Sequence, residues 1–98
     1  MAIKENKFQA SLIKELKTLF PEGMVLKNDP NYIQGVPDLI ILVNDKWAAL
    51  ECKRSADAPA RPNQAYYISK MADMSYAAFI YPGNKEEILH ELSQSLKS

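Results

Sequence analysis

A single α/β domain over residues 1–98, with helices flanking a mixed β-sheet in the order α-β-β-β-α-β-α, is the fold the sequence predicts. Three observations predict it. Apolar residues recur at helical spacing near both ends of the chain, two apolar runs flank an Asn-Asp turn signal, and a further run follows a helix opened by Pro62. A tight hairpin makes its strands antiparallel and a helical crossover makes its strands parallel, so the sheet is mixed.

Residues 4–20 carry Phe8, Leu12, Ile13, Leu16, Leu19 and Phe20 on one helical stripe, which Pro21 and Gly23 end. Met24-Val25-Leu26-Lys27 reads as a short strand, followed by the turn formers Asn28-Asp29-Pro30-Asn31. After a loop ending in Gly35-Val36-Pro37, residues 38–43 form an apolar run typical of a buried strand. Asn44-Asp45 then turns the chain into a second strand over residues 47–53, so residues 38–53 are a β-hairpin. Residues 54–61 are a polar loop. Pro62 suits the first position of a helix reaching about Met74, with Tyr67, Ile68 and Met71 inward. Residues 76–81 form a further strand, stopped by Pro82-Gly83, and a last helix from about Asn84 to Leu96 turns Ile88, Leu89, Leu92 and Leu96 inward.

The composition excludes coiled-coil, collagen-like and disordered chains: 47% of residues are hydrophobic and 24% charged. Twelve basic residues balance twelve acidic ones, so bulk charge selects no partner class and a nucleic-acid partner must rest on a local patch. One cysteine, Cys52, allows no internal disulfide and fits a reducing compartment. No apolar run approaches the length of a membrane span, and MAIKENKFQA has no secretory apolar region. The expectation is a small cytoplasmic domain without a membrane partner.

The hairpin carries the chemistry. With a two-residue loop at Asn44-Asp45, Val43 pairs with Lys46, Leu42 with Trp47, and Asp38 with Glu51 on the same face. A four-residue loop keeps that pairing, whereas a three- or five-residue loop without a bulge sends Glu51 to the other face. Facing carboxylates in an apolar sheet repel and resist desolvation, so something must neutralise them. Lys53 on the same face supplies part. A divalent cation supplies more, because carboxylate oxygens suit Mg²⁺ and a bound water becomes a nucleophile. The plainer alternative is a Glu51–Lys53 surface salt bridge at the sheet's end.

Two further polar residues point inward. Glu5 falls on the Leu12/Leu16 side of the first helix, where the alternative is an acid favoured near a helix N-terminus. Gln64 precedes Tyr67, Ile68 and Met71 by helical intervals and needs a partner if buried: a carboxylate, a metal-bound water, a phosphate or a backbone carbonyl. The first turn at Pro62-Asn63-Gln64 offers free N–H groups to a phosphate, which makes Asn63 a candidate nucleic-acid contact. Arg54 and Arg61 flank the preceding loop and are candidate backbone contacts, with Lys27 and Lys7 behind them, and solvated surface charge is the alternative for each. The Cys52 side chain alternates into the core and has no paired base, and His90 lies off its helix's apolar stripe. Tyr66, Tyr67, Tyr76 and Tyr81 read as core and rim. Tyr32 stays open between loop packing and DNA contact, and Trp47 between a core edge and an oligomer contact.

Gly35-Val36-Pro37-Asp38, then Glu51-Cys52-Lys53, then Gln64 at a helix start, resemble the PD-(D/E)XK nuclease superfamily and within it the VRR-NUC group of compact standalone, phage-type endonucleases. Glu5-Asn6-Lys7-Phe8-Gln9 resembles that group's first-helix acidic motif, and the resemblance spans residues 5 to about 81. It implies a restriction-endonuclease-like core of order α-β-β-β-α-β, followed here by a C-terminal helix. It further implies a Mg²⁺- or Mn²⁺-dependent endodeoxyribonuclease, acting as a homodimer on branched DNA such as four-way (Holliday) junctions, in the host cytoplasm if phage-encoded. Asp38 and Glu51 would ligate the metal with the Cys52 backbone carbonyl, and Glu5 would join through water. Lys53 would orient the attacking water or stabilise developing charge, and Gln64 would position that lysine or the water. The competing readings are a catalytically inactive DNA-binding module with the nuclease fold, and an interaction protein whose acids form a sheet-end ion pair.

Overall fold

The computed structural model describes residues 2–29 and 31–97, with the side chains of residues 2–5 outside the described set. Its elements run α1 (Ala2–Leu19), β1 (Met24–Lys27), β2 (Leu39–Val43), β3 (Lys46–Cys52), α2 (Pro62–Met74), β4 (Tyr76–Ile80) and α3 (Lys85–Lys97). This is the predicted order, with limits within about two residues of those read from the sequence.

The four strands lie in the sheet order β1-β2-β3-β4. β1 and β3 pair antiparallel with β2, and β4 pairs parallel with β3 across the α2 connection. Asn44 sits at φ 56°, the left-handed conformation that asparagine tolerates, so the hairpin closes with the two-residue turn and Val43 pairs Lys46.

One sheet face carries the main core. Leu39, Ile41 and Val43 of β2, Ala48, Leu50 and Cys52 of β3 and Ile80 of β4 meet Leu12, Leu16 and Phe20 of α1 and Ile88, Leu89, Leu92 and Leu96 of α3. The buried residues of β2 alternate, as a strand covered fully on one side requires. β3 is buried on both faces over Ala48–Cys52 because α2 covers its second face, together with that of β4. Fully buried Ala48 and Ala49 let the flanking helices approach β3 closely. α2 leaves the same face of β1 and β2 open. Met24, Leu42 and Trp47 line up there across the strands, beside Leu26 and Ile40.

Several assignments change. Tyr66 is no core residue: it stands 58% exposed on α2, while Tyr67 is half-buried and meets its ring edge-on. The first helix's stripe splits, with Leu12, Leu16 and Phe20 buried and Phe8, Ile13 and Leu19 only partly so. Cys52 is buried and His90 exposed, as expected.

Candidate active site

The β2–β3 register, carried one step beyond Leu39↔Leu50, sets Asp38 opposite Glu51 at the end of the hairpin. Their carboxylates replace the next rung of the ladder with crossed side-chain bonds. The Asp38 backbone N–H donates to Glu51 Oε1 at 3.1 Å, and the Cys52 backbone N–H donates to Asp38 Oδ2 at 3.0 Å. The interstrand donors that would otherwise be orphaned are thereby satisfied by the two acids. Glu51 is fixed within β3, whereas Asp38 sits in the bend just before β2, which begins at Leu39 rather than at residue 38 as the sequence predicts.

Glu51 is 5% exposed, one of two buried polar side chains described, the other being Gln9 of α1. Its second oxygen, Oε2, accepts from Gln64 Nε2 at 2.9 Å. Gln64 is held in turn because its Oε1 accepts the backbone N–H of Arg61, the N-cap of α2, at 2.9 Å. Among the partners open to Gln64, the structure selects a carboxylate. The amide links the start of α2 to β3 in one direction: acceptor toward the helix cap, donor toward the acid.

Asp38 is half-buried, and desolvation pushes its pKa above the usual 3.8. The Cys52 N–H bond and the positive charge of Lys27 offset that only in part. Ionised Asp38 is therefore under electrostatic stress of the kind that a nearby cation relieves.

Lys53 follows β3, and its backbone N–H donates to Ile80 O at 2.8 Å. Its ammonium donates to Ala56 O at 3.3 Å and lies 5.3 Å from the Phe79 ring centroid. Phe79 pairs with Glu51 in the β3–β4 register, so the lysine stem runs along the acid-bearing face. Arg54 and Arg61 are exposed around the 53–61 loop, and Asn63 is half-buried with Oδ1 accepting the Gln64 N–H at 3.0 Å. Lys27 and Lys7 are exposed. Glu5 belongs to α1, but its side chain falls outside the described residues, as does the expectation for it.

Asp38 opens onto a recess of about 150 Å³ shared with Asn28, Asp29, Ile33, Gln34, Gly35, Val36 and Arg61. A larger concavity, about 650 Å³, lies between α1 and α3 around Lys14, Glu15 and His90. The desolvated Asp38 carboxylate lies at the smaller recess, not at this one.

Among the described residues no three His, Cys, Asp or Glu side chains form a metal-sized group. The donors present nonetheless suit a hard divalent ion: two carboxylates meeting at the end of the hairpin, both shielded from water.

No family model matches the chain, and no curated protein matches it. A solved structure titled "VRR_NUC domain protein" superposes with a TM-score of 0.68 at 18% identity, over 96% of this chain and 88% of that chain. The chain has the VRR_NUC fold. Among the described residues no helix of this VRR_NUC fold is long and apolar enough to cross a membrane.

Sequence reasoning did not foresee how the acids are held. That each accepts a backbone N–H from the opposite strand leaves no mark on residue spacing. Nor did it single out Gln9, whose burial depends on how α1 docks.

Proposed function

We propose that this chain belongs to the VRR-NUC group and is a Mg²⁺- or Mn²⁺-dependent endodeoxyribonuclease acting in the cytoplasm. The observation that carries the reading is the cross-strand meeting of Asp38 and Glu51 with Gln64 donating to the second acid. Asp38 and Glu51 would hold the cation. The Cys52 N–H points toward Asp38, and in an extended strand the carbonyl of the same residue points the same way, which suits it as a third donor. Glu5 would complete the acidic set through water. When bound, the cation supplies charge neutralisation at the phosphodiester and lowers the pKa of a coordinated water.

The remaining steps belong to the protein. Gln64 holds the Glu51 carboxylate in one orientation, and the β2–β3 ladder holds the acids at fixed separation. Lys53 reaches the anionic phosphate by exchanging its 3.3 Å bond to Ala56 O, and its ammonium stabilises the charge that develops there. Arg54, Arg61, Asn63, Lys27 and Lys7 contact the DNA backbone on either side.

The partner is DNA, with branched forms including four-way junctions preferred, and the active unit is a homodimer. Met24 and Leu26, 56% and 42% exposed, join half-buried Ile40, Leu42 and Trp47 on the part of the sheet that α2 leaves open. A chain of zero net charge opposes self-association weakly, so this apolar surface suits a second copy.

The test incubates the protein, Lys53→Ala and Asp38→Asn with labelled linear, flapped and four-way DNA in Mn²⁺, Mg²⁺ or chelator. Metal-dependent cutting lost in both variants supports the proposal. Equal cutting by all three proteins removes it, and DNA binding with no cutting under any metal marks a binding module.

A further inference from the structure

The β1–β2 connection is a built loop with an aromatic held out of it. Its base is closed twice, by the Asn28 N–H on Asp38 O at 2.8 Å and by Asn28 Nδ2 on Pro37 O at 2.6 Å. Asp29 organises the near side, accepting the N–H of Asn31 at Oδ1 and that of Tyr32 at its carbonyl. On the far side Gly35, at φ +94°, lies so close to α2 that a Cβ there would come within 2.8 Å of Asn63 atoms. The loop is thus fastened both to Pro37 and Asp38, which lead into β2, and to the helix that carries Gln64.

Within this frame Tyr32 is 79% exposed, the most exposed of the large hydrophobic side chains described, and Ile33 next to it is 41% exposed. Loop packing, the alternative left open by the sequence, is therefore not the role of Tyr32. Ile33 also lines the recess whose other walls include Asp38 and Arg61. A nucleotide beside a phosphate at Asp38 would meet this loop first.

From this arrangement we infer that Tyr32 is a specificity-determining residue, stacking on the free face of an unstacked base next to the phosphate held at Asp38 and Glu51. The inference rests on the nuclease reading above and adds what that site selects. Bases inside a linear duplex are stacked on their neighbours and present no free face, whereas a flap or junction offers one at the branch. Loss of a base–aromatic stack reduces affinity about 5- to 150-fold. The cost of ordering the loop is already met by its fastening, so the stack adds to binding without a folding step.

The experiment compares wild type, Tyr32→Ala and Tyr32→Phe on linear duplex, flapped and four-way DNA. It measures binding in Ca²⁺ and cutting in Mn²⁺, with 2-aminopurine placed at the branch. The expected result is a fall of about tenfold or more in the branched-to-linear ratio for Tyr32→Ala. The 2-aminopurine response to wild-type protein should vanish in that variant, and Tyr32→Phe should restore both. An unchanged ratio and an unchanged fluorescence response in Tyr32→Ala, with cutting intact, overturn the role of Tyr32 and leave the nuclease reading standing. Branched-DNA binding that needs Tyr32, with no cutting under any metal, overturns the nuclease reading alone. A wild-type protein that neither binds nor cuts overturns both. Circular dichroism melting of Tyr32→Ala is expected to match wild type, because the ring is in water.

Discussion

Replacing Gln64 with alanine tests the site through stability, before any DNA is added. The change removes the donor that Glu51 Oε2 receives at 2.9 Å and the acceptor for the α2 N-cap N–H at Arg61. A hydrogen bond to a charged group is worth about 1.5–3 kcal/mol, and the exposed cap bond adds a smaller amount, so the expected loss is about 2–3 kcal/mol. For a chain of 98 residues that corresponds to a fall of about 8–24 °C in Tm. The variant Gln64→Glu keeps the shape and sets a second carboxylate against Glu51. At acid pH the two share one proton and the fold is nearly as stable as wild type. The native pair holds that proton above the ordinary glutamate range and the unfolded chain does not, so stability falls as pH rises. Thermal melting of the metal-free proteins across pH 4–8 reads both effects. A Tm for Gln64→Ala within 2 °C of wild type would refute the claim that Gln64 stabilises the buried acid.

Four further outcomes follow from the same geometry. Asp38→Asn should melt higher than wild type in chelator, because ionised Asp38 is desolvated while an asparagine oxygen can still accept the Cys52 N–H; the gap should widen as pH rises from the ordinary carboxylate value of 3.8 through the raised native one, and a gap independent of pH would contradict it. Mn²⁺ at ten times its Kd should stabilise wild type by about 1.4 kcal/mol, a rise of about 6–11 °C, with no rise in Asp38→Asn; equal shifts in both would place the cation elsewhere. Gly35→Ala forces a side chain into Asn63 at a positive φ, so urea denaturation should show a loss of about 1–3 kcal/mol together with weakened cutting, and an unaltered midpoint would show that the loop gives way freely. Trp47→Glu should convert a dimer to monomer in light-scattering chromatography, and an unchanged mass would locate the interface away from the open sheet face.

The order of elements was legible in the sequence because periodicity and punctuation act locally. The α1 stripe ending at Pro21, the Asn44-Asp45 turn and Pro62 at the helix start each encode a backbone choice within a few residues. The turn was decisive beyond its own length: a two-residue loop fixes the register, and register places Asp38 opposite Glu51. A good part of the candidate site was thus readable in advance.

Tertiary structure decided what depends on distances between elements far apart in the chain. Gln64 could have met a carbonyl, a water or a phosphate, and only the docking of α2 on β3 gave it Glu51. The Lys53 ammonium could have paired with Glu51, yet the fold of the 53–56 turn and the placement of β4 set it on Ala56 O and over Phe79. Tyr32 and Tyr66 carry no sequence signal that separates an exposed ring from a buried one, because burial belongs to the neighbours a residue acquires. Local backbone preference and a period of two settled where the acids stand. Packing settled which groups they touch, since side-chain partners are chosen by the three-dimensional meeting of surfaces that the sequence brings together only after folding.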